Sequence, residues 1–163
     1  MISFFTKYKK AKFAVIWQPL IHQAQTQLLL ETQLPALKRK DIWLFIDEWN
    51  RQYEQSNNSE KSGLAVLAYR LDIHRYAAGM LINGKPNIRL SGIMLLGYMG
   101  DETAWPLLKS LINDAEIEIA QAAFEAMKRI NHGRAICEVE SAVNHLLKKN
   151  VNRNYSLPTK IKT

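Results

Sequence analysis

The chain has a single cysteine, Cys137, in 163 residues, which excludes an internal disulfide framework and a multi-cysteine metal site. Glycine and proline are also scarce, at seven and five residues, and that argues against a turn-rich β protein and against low complexity. No stretch approaches the roughly 20 consecutive apolar residues of a membrane helix. The longest apolar runs, FAVIW and GIMLLGYM, are far shorter. Catalytic signatures are missing as well: there is no HExxH and no GxxxxGKS/T phosphate loop. His22, His74, His132 and His145 lack the spacing of a metal-ligand set, so neither a metal nor a cofactor is expected.

What is present is an ordinary hydrophobic content of 47% and a net charge of +7, enough chain for one domain with a real core. The charge is unevenly placed. Residues 1–40 carry +6, residues 41–146 carry −4, and residues 147–163 add five lysines or arginines. A protein that grips nucleic acid along its fold places its cations on the fold itself. Here they sit at the two ends, which makes nucleic acid an unlikely partner.

Helical spacing runs through the sequence. Residues 7–30 are helix-compatible, with Pro19 expected to force a kink or a restart. Asp41 is placed to cap a second helix, in which Ile42, Phe45, Ile46, Trp49 and Tyr53 fall on one apolar face. Further helices are predicted over 61–71, 73–82 (capped by Asp72), 88–99, 103–113, 117–131 and 133–149. The tail from 150 is polar, basic and Pro-broken, and is expected to be disordered.

A shift of 31 residues places Ile88 on Ile119, Gly92 on Ala123, Leu95 on Ala126, Leu96 on Met127 and Met99 on Ile130. It also places Ala104 on Ala135, Trp105 on Ile136 and Leu108 on Val139. Small residues meet small ones and apolar residues meet apolar ones, although Asp101 meets His132. Residues 61–86 read as a shorter, degenerate copy. The expected fold is therefore all-α: a short α-solenoid of about eight helices stacked as antiparallel hairpins, since one hairpin cannot bury its apolar face alone. Its expected parts are a basic helical segment (1–36), degenerate helical pairs (37–86), two repeats (87–149) and the tail (150–163).

The residues Ile88-Arg89, Gly92, Leu96-Gly97, Gly100-Asp101 and Ala104-Trp105-Pro106, with the leucines that follow, resemble a bacterial HEAT repeat. The second copy departs from that pattern at Ala120 and at Asn131-His132. Upstream, Trp17, Pro19, Leu20, Asp41, Trp49, Asn50 and Glu54 resemble a group of membrane-associated bacterial HEAT-repeat proteins. The resemblance implies a membrane span ahead of the basic segment and a domain on the cytoplasmic side. It also implies a membrane-associated glycosyltransferase as partner, and a structural bond from Arg89 to a neighbouring repeat.

Site candidates follow from placement on these helices. Trp43, Asp47, Asn50 and Glu54 share one flank of the second helix, and a tryptophan among short polar groups suits a protein contact. Packing of Trp43 against the first helix is the competing reading, since large aromatics are usually covered. Asp47 and Glu48 lie off the apolar face, where solvation rather than acid–base work is the default. Lys7, Lys9, Lys10 and Lys12, interleaved with Phe5, Tyr8 and Phe13, suit an anionic membrane surface. Cys137 is expected to be a small buried hydrophobe, and Trp49 and Tyr53 to be packing residues. The expected function is a non-enzymatic protein–protein adaptor near the membrane. The alternatives are a HEAT-like nucleic-acid protein of the DNA-glycosylase kind and a lyase-type accessory HEAT protein.

Overall fold

The computed structural model describes residues 4–26 and 33–141, with side chains from residue 11 onward apart from that of residue 83. Among the described residues there are eight α-helices and no strand: α1 (Phe4–Gln25), α2 (Ile42–Gln55), α3 (Asn58–Arg70), α4 (Ile73–Asn83), α5 (Pro86–Met99), α6 (Trp105–Leu111), α7 (Ile117–Ile130) and α8 (residues 132–141). Short 3₁₀ turns at Arg39–Asp41 and Glu102–Ala104 lead into α2 and α6. α5 is the centre of the arrangement, packing against α2, α4 and α7, while α1 lies on α3 and α6 on α7. The all-α packing is that of a helical bundle or a short solenoid, and no described helix is long and apolar enough to cross a membrane.

The apolar faces read from the sequence are the ones that bury. In α2, Ile42, Phe45, Ile46 and Trp49 are buried, and Tyr53 is half-buried against the core. The 31-residue register is matched by burial at four of its eight pairs. Gly92 and Ala123, Leu95 and Ala126, Leu96 and Met127, and Ala104 and Ala135 are buried at both positions of each pair.

The helix ends depart from expectation in instructive ways. α1 passes through Pro19 without a restart, and the expected stretch beyond Gln25 falls mostly on residues outside those described. α3 begins three residues early because Asn57 and Glu60 close a capping box. The Asn57 side chain accepts from the Glu60 amide, and the Glu60 carboxylate accepts from the Asn57 amide. Asp41 and Asp72 stand at the expected N-cap positions, but neither side chain makes a capping bond. Asp72 instead supplies a left-handed turn (φ 54°), a conformation that Asp tolerates better than most residues. The helix expected over 103–113 is a 3₁₀ turn followed by the shorter α6, with Pro106 in its first turn.

Two glycines towards the end of α5 act differently from each other. Gly100 adopts φ 64° and ends α5 in a Schellman motif, with Gly100 N–H donating to Gly97 O and Asp101 N–H to Leu96 O. Gly97 does not end the helix. It lies inside α5, where a Cβ would come within 2.7 Å of the Ala126 Cα on α7, so its role is close helix contact. Asp101 caps the next turn by accepting from the Thr103 amide and hydroxyl.

Arg89 joins α5 to the α6–α7 loop and to α4. Its guanidinium pairs with Asp114 in the α6–α7 loop, lies 3.6 Å from Glu116, and donates through Nε to the Leu81 carbonyl at 3.1 Å. The Arg89 hydrogen bond, with help from the Glu116 amide, holds the Asp114 carboxyl below its usual value of 3.8. A carboxyl lowered in the folded state contributes stability above its unfolded pKa and loses it as pH falls through the folded one. Acid titration of unfolding should therefore show stability declining below about pH 4. Arg89→Met should be less stable at neutral pH and show a shallower acid limb, checked by urea melts at several pH values. An acid limb unchanged by the substitution would contradict this role.

Cys137 is exposed rather than buried. It falls on the outer side of α8, while Ala135 takes the core position and Ile136 and Val139 are half-buried. On the same helix Glu138 receives Lys109 at 2.5 Å, and the Arg134 guanidinium lies 4.1 Å over the Trp105 ring, tying α8 to α6.

Candidate functional site

A concave surface lies where the C-terminal ends of α2, α5 and α7 meet the start of α3. Its floor is an aromatic stack that begins in the core. Trp49, fully buried, anchors α2 to α3 through an indole N–H donated to the Leu64 carbonyl at 2.9 Å. Tyr53, one turn on, stacks on Trp49, and Tyr98 of α5 stacks on Tyr53, both pairs with ring centroids 4.8 Å apart. The Tyr53 hydroxyl donates to the Tyr98 carbonyl at 2.8 Å, and the Tyr98 hydroxyl donates to Glu54 Oε1 at 2.5 Å. The stack thus runs from the core to the surface and locks α2 to α5.

Two cations complete it. Lys61 Nζ lies 5.3 Å from the Tyr53 ring centre, and the Arg129 guanidinium lies 4.9 Å over Tyr98. With Gly97, Met99 and Gly100 these groups enclose an open groove of about 620 Å³. Burial pushes the Tyr98 phenol up to about 12, reinforced by its bond to Glu54 and opposed by Arg129. Burial raises Tyr53 as well, again opposed by Arg129. Both phenols therefore stay neutral well above neutral pH, and Tyr98 keeps its donated hydrogen bond.

A second, smaller cleft of about 220 Å³ lies between α1 and α2, lined by Phe13, Ala14, Gln18, Leu44, Asp47 and Glu48. Burial opposes ionisation of Glu48, but hydrogen bonds from Arg51 and Gln52 outweigh it and bring its pKa down. Glu48 is thus an engaged carboxylate rather than a poised acid.

The four residues expected on one flank of α2 divide among these features. Trp43 is 38% exposed. Asp47 is exposed and borders the α1–α2 cleft, and Glu54 borders the aromatic groove. Asn50 is buried at 4% exposure and donates Nδ2 to the Ser91 carbonyl of α5 at 2.8 Å, while its Oδ1 has no partner among the described residues. Asn50 therefore serves the α2–α5 contact from beneath the surface. Lys12 is exposed on α1; Lys7, Lys9 and Lys10 also belong to α1, but their side chains lie outside the described set, as does the expected tail. Among the described residues no group of His, Cys, Asp and Glu is placed to hold a metal ion.

Tyr98, Lys61 and Arg129 were not singled out from the sequence, and Tyr53 was read as packing alone. One signal was available. The 31-residue register that pairs apolar positions also puts Tyr98 on Arg129, so the two occupy equivalent places on adjacent stacked helices. Lys61 and Tyr53 carry no such mark.

No family model matches the chain, and no curated protein and no solved structure matches it either.

Proposed function

We propose that this chain is a non-enzymatic adaptor of the HEAT-repeat type that binds a protein partner in the Tyr53–Tyr98 groove. The observation that carries the reading is the stack itself. Rigid aromatic rings, backed by the core and flanked by an arginine, form the surface chemistry enriched where proteins bind one another. The HEAT assignment is supported by the repeat motif at 88–111, by burial shared at four of the eight register pairs, and by the Arg89 bond from α5 to the α6–α7 loop. Trp43 and Asp47 extend the contact along the outer edge of α2, with Asn50 fixing that helix to α5. A place on the cytoplasmic side of a membrane, beside a membrane-associated glycosyltransferase, rests on the upstream resemblance. Contact of Lys7, Lys9, Lys10 and Lys12 with anionic lipid rests on their charge.

A photo-cross-linking amino acid at Glu54, compared with one at Ser110 on the exposed side of α6, tests the groove in cells. A discrete protein adduct is expected from position 54 and not from 110, and it should disappear when Tyr98→Ala is added. Equal labelling from both positions, or adducts with nucleic acid alone, would overturn the reading.

A further inference from the structure

We propose that the groove selects an acidic peptide segment, its carboxylates seated on Lys61 and Arg129 and its backbone lying across the Tyr53–Tyr98 stack. This rests on the groove being the protein-binding site and adds the chemistry of the occupant. The argument is one of unanswered charge. Four other cations of the body sit against carboxylates: Arg51 with Glu48, Arg89 with Asp114, Lys109 with Glu138 and Lys128 with Glu125. Lys61 and Arg129 instead lie over tyrosine rings, and among the described residues no carboxylate comes within ion-pair distance of either. The groove's own acid, Glu54, already accepts the Tyr98 hydroxyl.

That leaves an excess of positive charge on a surface whose surroundings are negative, since residues 41–146 carry a net −4. A local positive site in an acidic field suits a short acidic segment. It does not suit a nucleic acid, which needs cations along its whole track. The chain's own ends carry charge of the same sign as these two residues and so lack the complementary chemistry. The aromatic floor adds selectivity: Arg129 is held in place by Tyr98 before binding, so less side-chain freedom is lost when a carboxylate arrives. Arg129 also offers a forked donor for such a group.

Fluorescence anisotropy with the full chain tests this. The probes are a short fluorescein-labelled Glu-rich peptide, its Gln counterpart, its Lys counterpart and a duplex DNA. Saturable, salt-weakened binding of the Glu peptide is expected. The double variant Lys61→Glu, Arg129→Glu should weaken it by about tenfold or more and acquire binding to the Lys peptide. Both side chains are at least partly exposed, so the helical circular dichroism should be unchanged, and Arg129→Gln alone should show an intermediate loss. Glu and Gln peptides binding alike, or Glu binding unaffected by charge reversal, would sink the proposal, as would a preference for DNA. If position 54 still cross-links a protein under any of those outcomes, the adaptor reading stands and only the acidic occupant falls. If it does not, both fall.

Discussion

Trp49→Ala should cost about 3–5 kcal/mol of folding stability, the range for truncating a large buried aromatic. Trp49 is fully buried, stacks on Tyr53 and donates its indole N–H to Leu64 of α3, so one substitution opens a cavity where α2 and α3 meet. Because a typical domain is stable by only about 5–15 kcal/mol, a large part of the margin goes with it. Trp49→Phe keeps part of the packing and loses the hydrogen bond, so a smaller loss is expected, about 1–2 kcal/mol. Urea unfolding followed by circular dichroism gives both numbers. The two variants should also separate fold from function. Trp49→Phe leaves a ring beneath Tyr53 and should retain groove binding, whereas the alanine variant removes the inner support of the stack. A loss below about 1 kcal/mol for the alanine variant would mean that this contact is not part of the core.

The second large effect has a built-in control of opposite sign. Gly63 sits in α3 under α1, where an added Cβ would lie 1.8 Å from the Ala24 carbonyl oxygen and 2.8 Å from its carbon. These are backbone atoms of a buried residue, so no side chain can turn aside and α1 itself must lift. Alanine is the better helix former by about 1 kcal/mol, but the overlap outweighs that gain. Gly63→Ala should therefore lose about 2–3 kcal/mol net. Gly79 lies in α4 with nothing within 4 Å of its would-be Cβ. There the propensity term acts alone, and Gly79→Ala should gain about 0.5–1 kcal/mol. Melts of the two variants side by side check the claim. Stabilisation by both would show that α1 does not pack on α3 as described.

Residues that read correctly from the sequence did so for a local reason. Ile42, Phe45, Ile46 and Trp49 recur at the helical period and bury together, because spacing along one helix decides which side chains share a face. Gly92 and Ala123 were paired by register, and both bury at helix contacts. Capping was less legible. Asn57 and Glu60 form the capping box that was passed over, while Asp41 and Asp72, which look like caps, make no capping bond. A cap depends on backbone angles at one residue, and the same letter fits several conformations. Cys137 read as buried because its neighbours are apolar, but α8 turns that position outward.

The sequence by itself determined that this is an all-α chain and where most helices run, since both follow from periodicity within single helices. Only the tertiary structure decided which polar and aromatic groups meet. Tyr53, Lys61, Tyr98 and Arg129 come from four different helices, and their stacking depends on how α2, α3, α5 and α7 cross. Crossing is set by backbone approach at small residues such as Gly97 against Ala126, a property of paired surfaces that no single stretch of sequence contains.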